Sequence, residues 1–67
     1  MPENWTGELL GRMHNAGVTR TELADHLHYS YGYVSQIFNS VRARNDPEKR
    51  ELFNRAFDEI VASRHDS

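Results

Sequence analysis

Residues 19–39 read TRTELADHLHYSYGYVSQIFN, and the organisation of the chain turns on this stretch. It spells two short helices joined by a tight turn. Thr19 precedes an apolar-periodic run, with Glu22 at the position of a capping box. There the Thr hydroxyl accepts from the Glu22 backbone N–H, and the carboxylate accepts from the Thr19 N–H. Leu23, Ala24 and Leu27 follow on one face. His28, Tyr29 and Ser30 interrupt the pattern, and Ser30 is a good N-cap for a new helix.

The second helix, residues 30–39, carries the functional argument. At about 100° per residue with Val34 at 0°, Ile37, Phe38 and Val41 fall near −60°, +40° and −20° and face inward. On the same wheel Ser35, Asn39, Gly32 and Gln36 fall at roughly 100°, 140°, 160° and 200°. The outer face is thus Gly, Ser, Gln and Asn, without charge, where a solvated helix usually shows Lys and Glu. Short amide and hydroxyl side chains suit a helix lying in a DNA major groove. Gln and Asn can pair bidentately with adenine, and Ser can donate or accept. Gly32 would let the backbone come close to base edges.

These residues resemble the helix-turn-helix of phage repressors of the Cro and lambda-repressor type. Leu23, Ala24, Leu27, Val34 and Ile37 keep that spacing, and the run Val34-Ser35-Gln36-Ile37-Phe38-Asn39 is similar to the family's recognition helix. The resemblance implies a small all-α domain of four to five helices that binds double-stranded DNA. One residue departs from the pattern. The family usually has Gly in the turn where this chain has His28, at a position that often needs φ > 0.

Sixty-seven residues make one small domain at most, with a limited core. The chain has no Cys, which removes disulfides and thiolate metal sites and fits a reducing cytoplasm. Apolar runs are too short to span a membrane, and the N-terminus lacks the order of a signal peptide. The net charge of −2 argues against avid nucleic-acid binding, because phosphate contacts supply most non-specific affinity. Distribution answers part of that objection. From Leu27 to Asn45 the only charged residues, His apart, are Arg42 and Arg44.

A first amphipathic helix is expected from near Asn4 to Asn15, carrying Trp5, Leu9, Leu10, Met13 and Ala16 inward. Gly7 and Gly11 weaken it and read as tolerated surface glycines; Gly17 closes it as a left-handed cap. Residues 40–45 read as a basic loop or a fraying helix end. Asp46, Pro47 and Glu48 open a last helix, expected over residues 46–63. Its apolar residues Leu52, Phe53, Ala56, Phe57, Ile60 and Val61 sweep an arc of about 180°, wider than the roughly 100° stripe that covers one small domain. The excess has two readings, one well-buried helix in a small core or an arc shared between the first helices and a second protomer; the second is preferred and places Phe53, Phe57, Ile60 and Val61 at a homodimer interface. The tail from Arg64 is expected to be disordered.

Nothing pairs a nucleophile with a base, no histidine has zinc-ligand spacing, and no Gly-rich phosphate loop is present. So small a helical chain also offers little room for a substrate pocket. The reading is therefore no enzyme, no metal, no cofactor and no small-molecule ligand. His26 is read as facing water or a phosphate. Tyr31, Gly32, Ser35 and Gln36 are the expected base contacts. Arg20, Thr21, Ser30, Tyr33, Asn39, Arg42 and Arg44 are the expected backbone contacts. Tyr31 and Tyr33 flank the recognition helix on opposite sides, and Arg20 sits at a helix N-terminus suited to phosphate. With no second domain, such a protein would act by occupying an operator. The competing reading is a protein–protein interaction module, an anti-repressor or accessory subunit, on the same scaffold.

Overall fold

The helix starts marked by polar residues in the sequence are helix starts in the computed structural model, which describes residues 4–65. Helix α1 (Trp5–Ala16) is capped by Asn4, whose Oδ1 accepts from Gly7 N at 3.1 Å and from the Thr6 hydroxyl at 2.9 Å. Gly7 makes room for this cap. Gly7 is exposed as expected, and a Cβ there would lie 2.8 Å from Asn4 Nδ2, the end of the capping side chain. Gly17, at φ 71°, ends α1 as expected, and Val18 N returns to Met13 O at 2.8 Å.

Helix α2 (Arg20–Leu27) has the capping box complete. Glu22 N donates to Thr19 Oγ1 at 3.1 Å, and Thr19 N donates to Glu22 Oε1 at 3.2 Å. It ends at His28, with φ 61° and ψ 36°. The left-handed turn is therefore made with histidine where glycine would be unstrained. Tyr29 N closes it on Ala24 O at 2.9 Å.

Ser30 caps α3 (Tyr31–Asn39) by accepting from Tyr33 N at 3.1 Å. The next segment differs from expectation. Ser40 Oγ accepts from Ala43 N at 3.2 Å and opens a one-turn helix, α4 (Val41–Arg44), in place of a loop or frayed end. The axis changes at Ser40, so the wheel of α3 does not extend to Val41. That residue is 68% exposed, and Ala43 takes the core position. Asp46 Oδ1 then accepts from Glu48 N at 3.0 Å and Lys49 N at 3.3 Å, opening α5 (Pro47–His65).

The five helices share one core. Phe53 of α5 is fully buried at its centre, with Trp5 edge-on at 5.7 Å and Phe38 edge-on at 5.6 Å. The Trp5 indole N–H donates to Ala43 O at 2.9 Å, so the start of α1 holds α4 in place. Leu9, Leu23 and Val34 are also fully buried, and Ala24 lies in the core beside them.

The assignment of the last helix to a dimer interface is corrected here. Phe53, Phe57 and Ile60 lie in the protomer's own core, and Val61 is half-buried against it. The broad stripe has a local explanation, since α5 packs against α1, α2 and α4 rather than one neighbour. Ala16, expected inward, is exposed.

Surface pairs bind α5 to the first two helices. Arg12 donates to Asn54 and Asp58 and stacks over the Phe57 ring at 4.8 Å. His26, exposed as expected, also meets Glu59 at 2.8 Å. Arg64, expected in a disordered tail, is helical; its guanidinium donates to Glu22, Ala16 O and Gly17 O. Residues 66 and 67 lie outside the described residues. No helix among the described residues is long and apolar enough to cross a membrane.

Two stability predictions follow from these contacts. Replacing His28 by Gly relieves the left-handed strain, offset by greater unfolded-state freedom, and is expected to raise stability by up to about 1 kcal/mol. A lower denaturation midpoint in H28G would show that the imidazole makes a contact outweighing the strain. The second concerns pH. Hydrogen bonding from Arg64, then from the Thr19 backbone, lowers the Glu22 pKa below its ordinary 4.5. A lowered folded pKa contributes stability above the unfolded value that is lost as pH falls through the folded one. Acidification below about pH 4.5 should therefore destabilise the native chain more than Glu22→Gln, by a salt-sensitive margin. Parallel pH–stability curves would refute this.

Candidate nucleic-acid interface

Burial of Val34 and Phe38 fixes the orientation of α3, so its opposite face is turned to solvent. Gly32, Gln36 and Asn39 are exposed there. No Asp or Glu occurs from His28 to Asn45. Arg42 and Arg44 are exposed on α4, immediately after α3, and Thr21 is exposed in the first turn of α2. These residues form a polar, uncharged ridge followed in sequence by two cations.

The shoulders of the ridge are the two tyrosines, at about 60° and 260° on the wheel that places Val34 at 0°. Tyr31 is 53% exposed. The Ser35 hydroxyl lies beside its phenol oxygen, and Arg20 reaches the same group from α2; in that order they lower the Tyr31 pKa below its ordinary 10.0. Arg20 also lies over the Phe38 ring, 5.8 Å from its centroid. The second shoulder, Tyr33, packs edge-on against Tyr29 at 4.9 Å. Lys49 of α5 meets its phenol, which, as the main cause, raises the Lys49 pKa and favours the charged ammonium.

Two expected contact residues are otherwise engaged. Ser35 Oγ is covered and has no hydrogen-bond partner. Its proximity to Tyr31 is enough to perturb the phenol, but in this conformation the hydroxyl is not presented to a base. Ser30 Oγ is used as the α3 cap. Lys49, by contrast, was not legible as a site residue. The only signal was its place in the first turn of α5, and nothing local relates that turn to Tyr33.

Elsewhere, a groove of about 450 Å³ between α1 and α5 is lined by Trp5, Glu8, Arg12, Pro47, Arg50, Glu51 and Asn54. It is larger than the small core suggested. Its cations and carboxylates compensate one another, and Arg12 is already committed to Asn54 and Asp58. Among the described residues no group of three His, Asp or Glu side chains is placed to hold a metal ion. No family model matches the chain, and neither the curated proteins nor the solved structures contain a match to it.

Gly32 offers a direct test of the exposed face. A Cβ at this position would meet nothing within 4 Å, so the fold itself has no steric need for glycine there. Gly32→Ala is expected to stabilise the free protein by up to about 1 kcal/mol while weakening binding to whatever α3 approaches. Thermal unfolding and binding measured on one preparation check this. Unchanged binding would remove Gly32 from the contact surface.

Proposed function

We propose that this chain is a sequence-specific DNA-binding transcriptional regulator of the Cro and lambda-repressor type, cytoplasmic and of bacterial or phage origin. It would read the major groove with α3 and repress by occupying its operator. The observation that supports this most is the exposed, charge-free Gly32-Gln36-Asn39 ridge followed in sequence by exposed Arg42 and Arg44. A helix entering the major groove needs short donors and acceptors toward base edges and cations beside them for the phosphates.

In this reading Gln36 is the principal base-reading side chain, with Gly32 allowing close approach and Tyr31 at the edge. Arg20, Arg42 and Arg44 hold the backbone, with Thr21 and Asn39 as neutral donors. Such motifs use two half-sites about 34 Å apart, so a homodimer on DNA belongs to the proposal. Its contacts must lie outside Phe53, Phe57 and Ile60, which the protomer core consumes.

A second reading, a protein-binding module on the same scaffold, is favoured by Val41, a β-branched side chain 68% exposed beside the recognition helix, and by the net charge of −2. Selection from random duplexes separates the two. The regulator enriches a motif; the protein-binding module enriches none and passes through heparin at low salt. Gln36→Ala is expected to cost about 1–3 kcal/mol on the selected site and relax one base position. Arg42→Ala should weaken all sequences alike and reduce the salt slope by about 1. If both variants bind as the parent does, α3 is not the reading element.

A further inference from the structure

Two arginines of this fold lie over aromatic rings, and only one of them is paired with a carboxylate. We propose that Arg20 is a preoriented phosphodiester clamp and that Phe38, a residue of the core, is its positioning residue. The inference rests on the DNA-binding reading of α3 and adds to it how one backbone contact is held.

The contrast is between Arg12 and Arg20. The Arg12 guanidinium lies 4.8 Å from the Phe57 ring centroid and donates to Asn54 and Asp58. Its charge is compensated within the protomer, between α1 and α5. The Arg20 guanidinium lies 5.8 Å from the Phe38 centroid, within the reach of about 6 Å of a cation–π contact. The ion pairs among the described residues engage Arg12, His26, Arg55 and Arg64, and none of them gives Arg20 a carboxylate. Glu22, two positions along α2, accepts from Arg64 and from Thr19 N instead.

Both members of the stack are fixed. Arg20 is the first residue of α2, and it is half-buried between exposed Thr19 and Thr21, which agrees with a side chain laid on the protein. Phe38 precedes Asn39 of the outward ridge, is 4% exposed and is held edge-on by Phe53 at 5.6 Å. The platform beneath Arg20 therefore belongs to the packed centre of the domain. Arginine suits such a platform better than lysine. A planar guanidinium can lie on a ring face while its N–H edge donates in pairs to phosphate oxygens. An unstacked arginine loses its rotamer freedom on binding; one already laid on Phe38 loses less. A phosphodiester beside α3 then meets a cation that is already oriented and has no carboxylate to displace.

The test is a double-mutant cycle read on affinity for a duplex selected by the parent protein, measured as a function of salt. Arg20→Gln should reduce the slope of log K against log salt by about 1 per protomer. Arg20→Lys should keep the slope, because the charge remains, yet weaken binding about two- to fivefold. Phe38→Leu keeps an apolar side chain in the core; it should weaken binding by a similar factor in the parent and by nothing further in the Arg20→Gln background. Arg12→Lys, at the compensated stack, is the control and should bind as the parent does. Equal losses from Phe38→Leu in both backgrounds would make Phe38 a core residue only and overturn its positioning role. If Phe38→Leu does not fold, Arg20→Lys decides alone: lysine binding as tightly as arginine overturns the stack. An unchanged slope in folded Arg20→Gln overturns the clamp, while continued sensitivity to Gln36→Ala leaves α3 recognition intact. Absence of duplex binding by the parent protein at low salt overturns the DNA reading and the clamp together.

Discussion

The edge-on contacts of Phe53 with Trp5 and Phe38 hold together segments that are far apart in sequence. Trp5 begins α1, Phe38 lies near the end of α3, and the Trp5 N–H reaches Ala43 in α4. One aromatic side chain from α5 therefore sets the relative positions of three other helices. Burying such a ring is worth about 1.5–3 kcal/mol, and each aromatic pair adds about 0.5–1.5 kcal/mol. In a chain this short that is a large share of the net stability. The consequence for function is orientation: with Phe38 and Val34 pinned inward, Gly32, Gln36 and Asn39 have only the solvent side.

Two features of the motif run against stability. His28 adopts a left-handed conformation that glycine would adopt without strain. Gly32 lies in a helix with open space around it, where alanine would favour the helical state. The first sets the angle between α2 and α3, and the second leaves the ridge low. Both are intelligible if α3 must approach another molecule closely, and neither helps the isolated domain.

Electrostatics gives the proposed complex a definite character. The chain is net acidic, but its ion pairs Arg12–Asp58, His26–Glu59 and Arg64–Glu22 join α5 to α1 and α2. Exposed pairs of this kind contribute little to stability; their effect here is to occupy charges away from α3. The cations close to the ridge are few, so any affinity for duplex rests on a small number of placed contacts. Non-specific binding should be weak, with a shallow salt dependence set by those few cations.

The helix starts were legible because a cap is local. Asn4, Thr19, Ser30 and Asp46 each satisfy a backbone N–H within the first turn, and a residue pattern two or three positions long suffices to encode that. The inward faces of α2 and α3, and of α1 apart from Ala16, were legible because periodicity is local too, whereas the left-handed turn at His28 was suggested only by the resemblance. What tertiary structure decided was the destination of each face. The apolar arc of α5 could have covered a second copy, yet it is filled by α1, α2 and α4. Val41 left the core because Ser40 starts a new axis, and the Ser35 hydroxyl is covered in the folded chain. Arg64 found its partners only because α5 ends at the α1–α2 junction. Periodicity within one helix specifies which residues share a side; which neighbour that side meets depends on how all five helices close around Phe53.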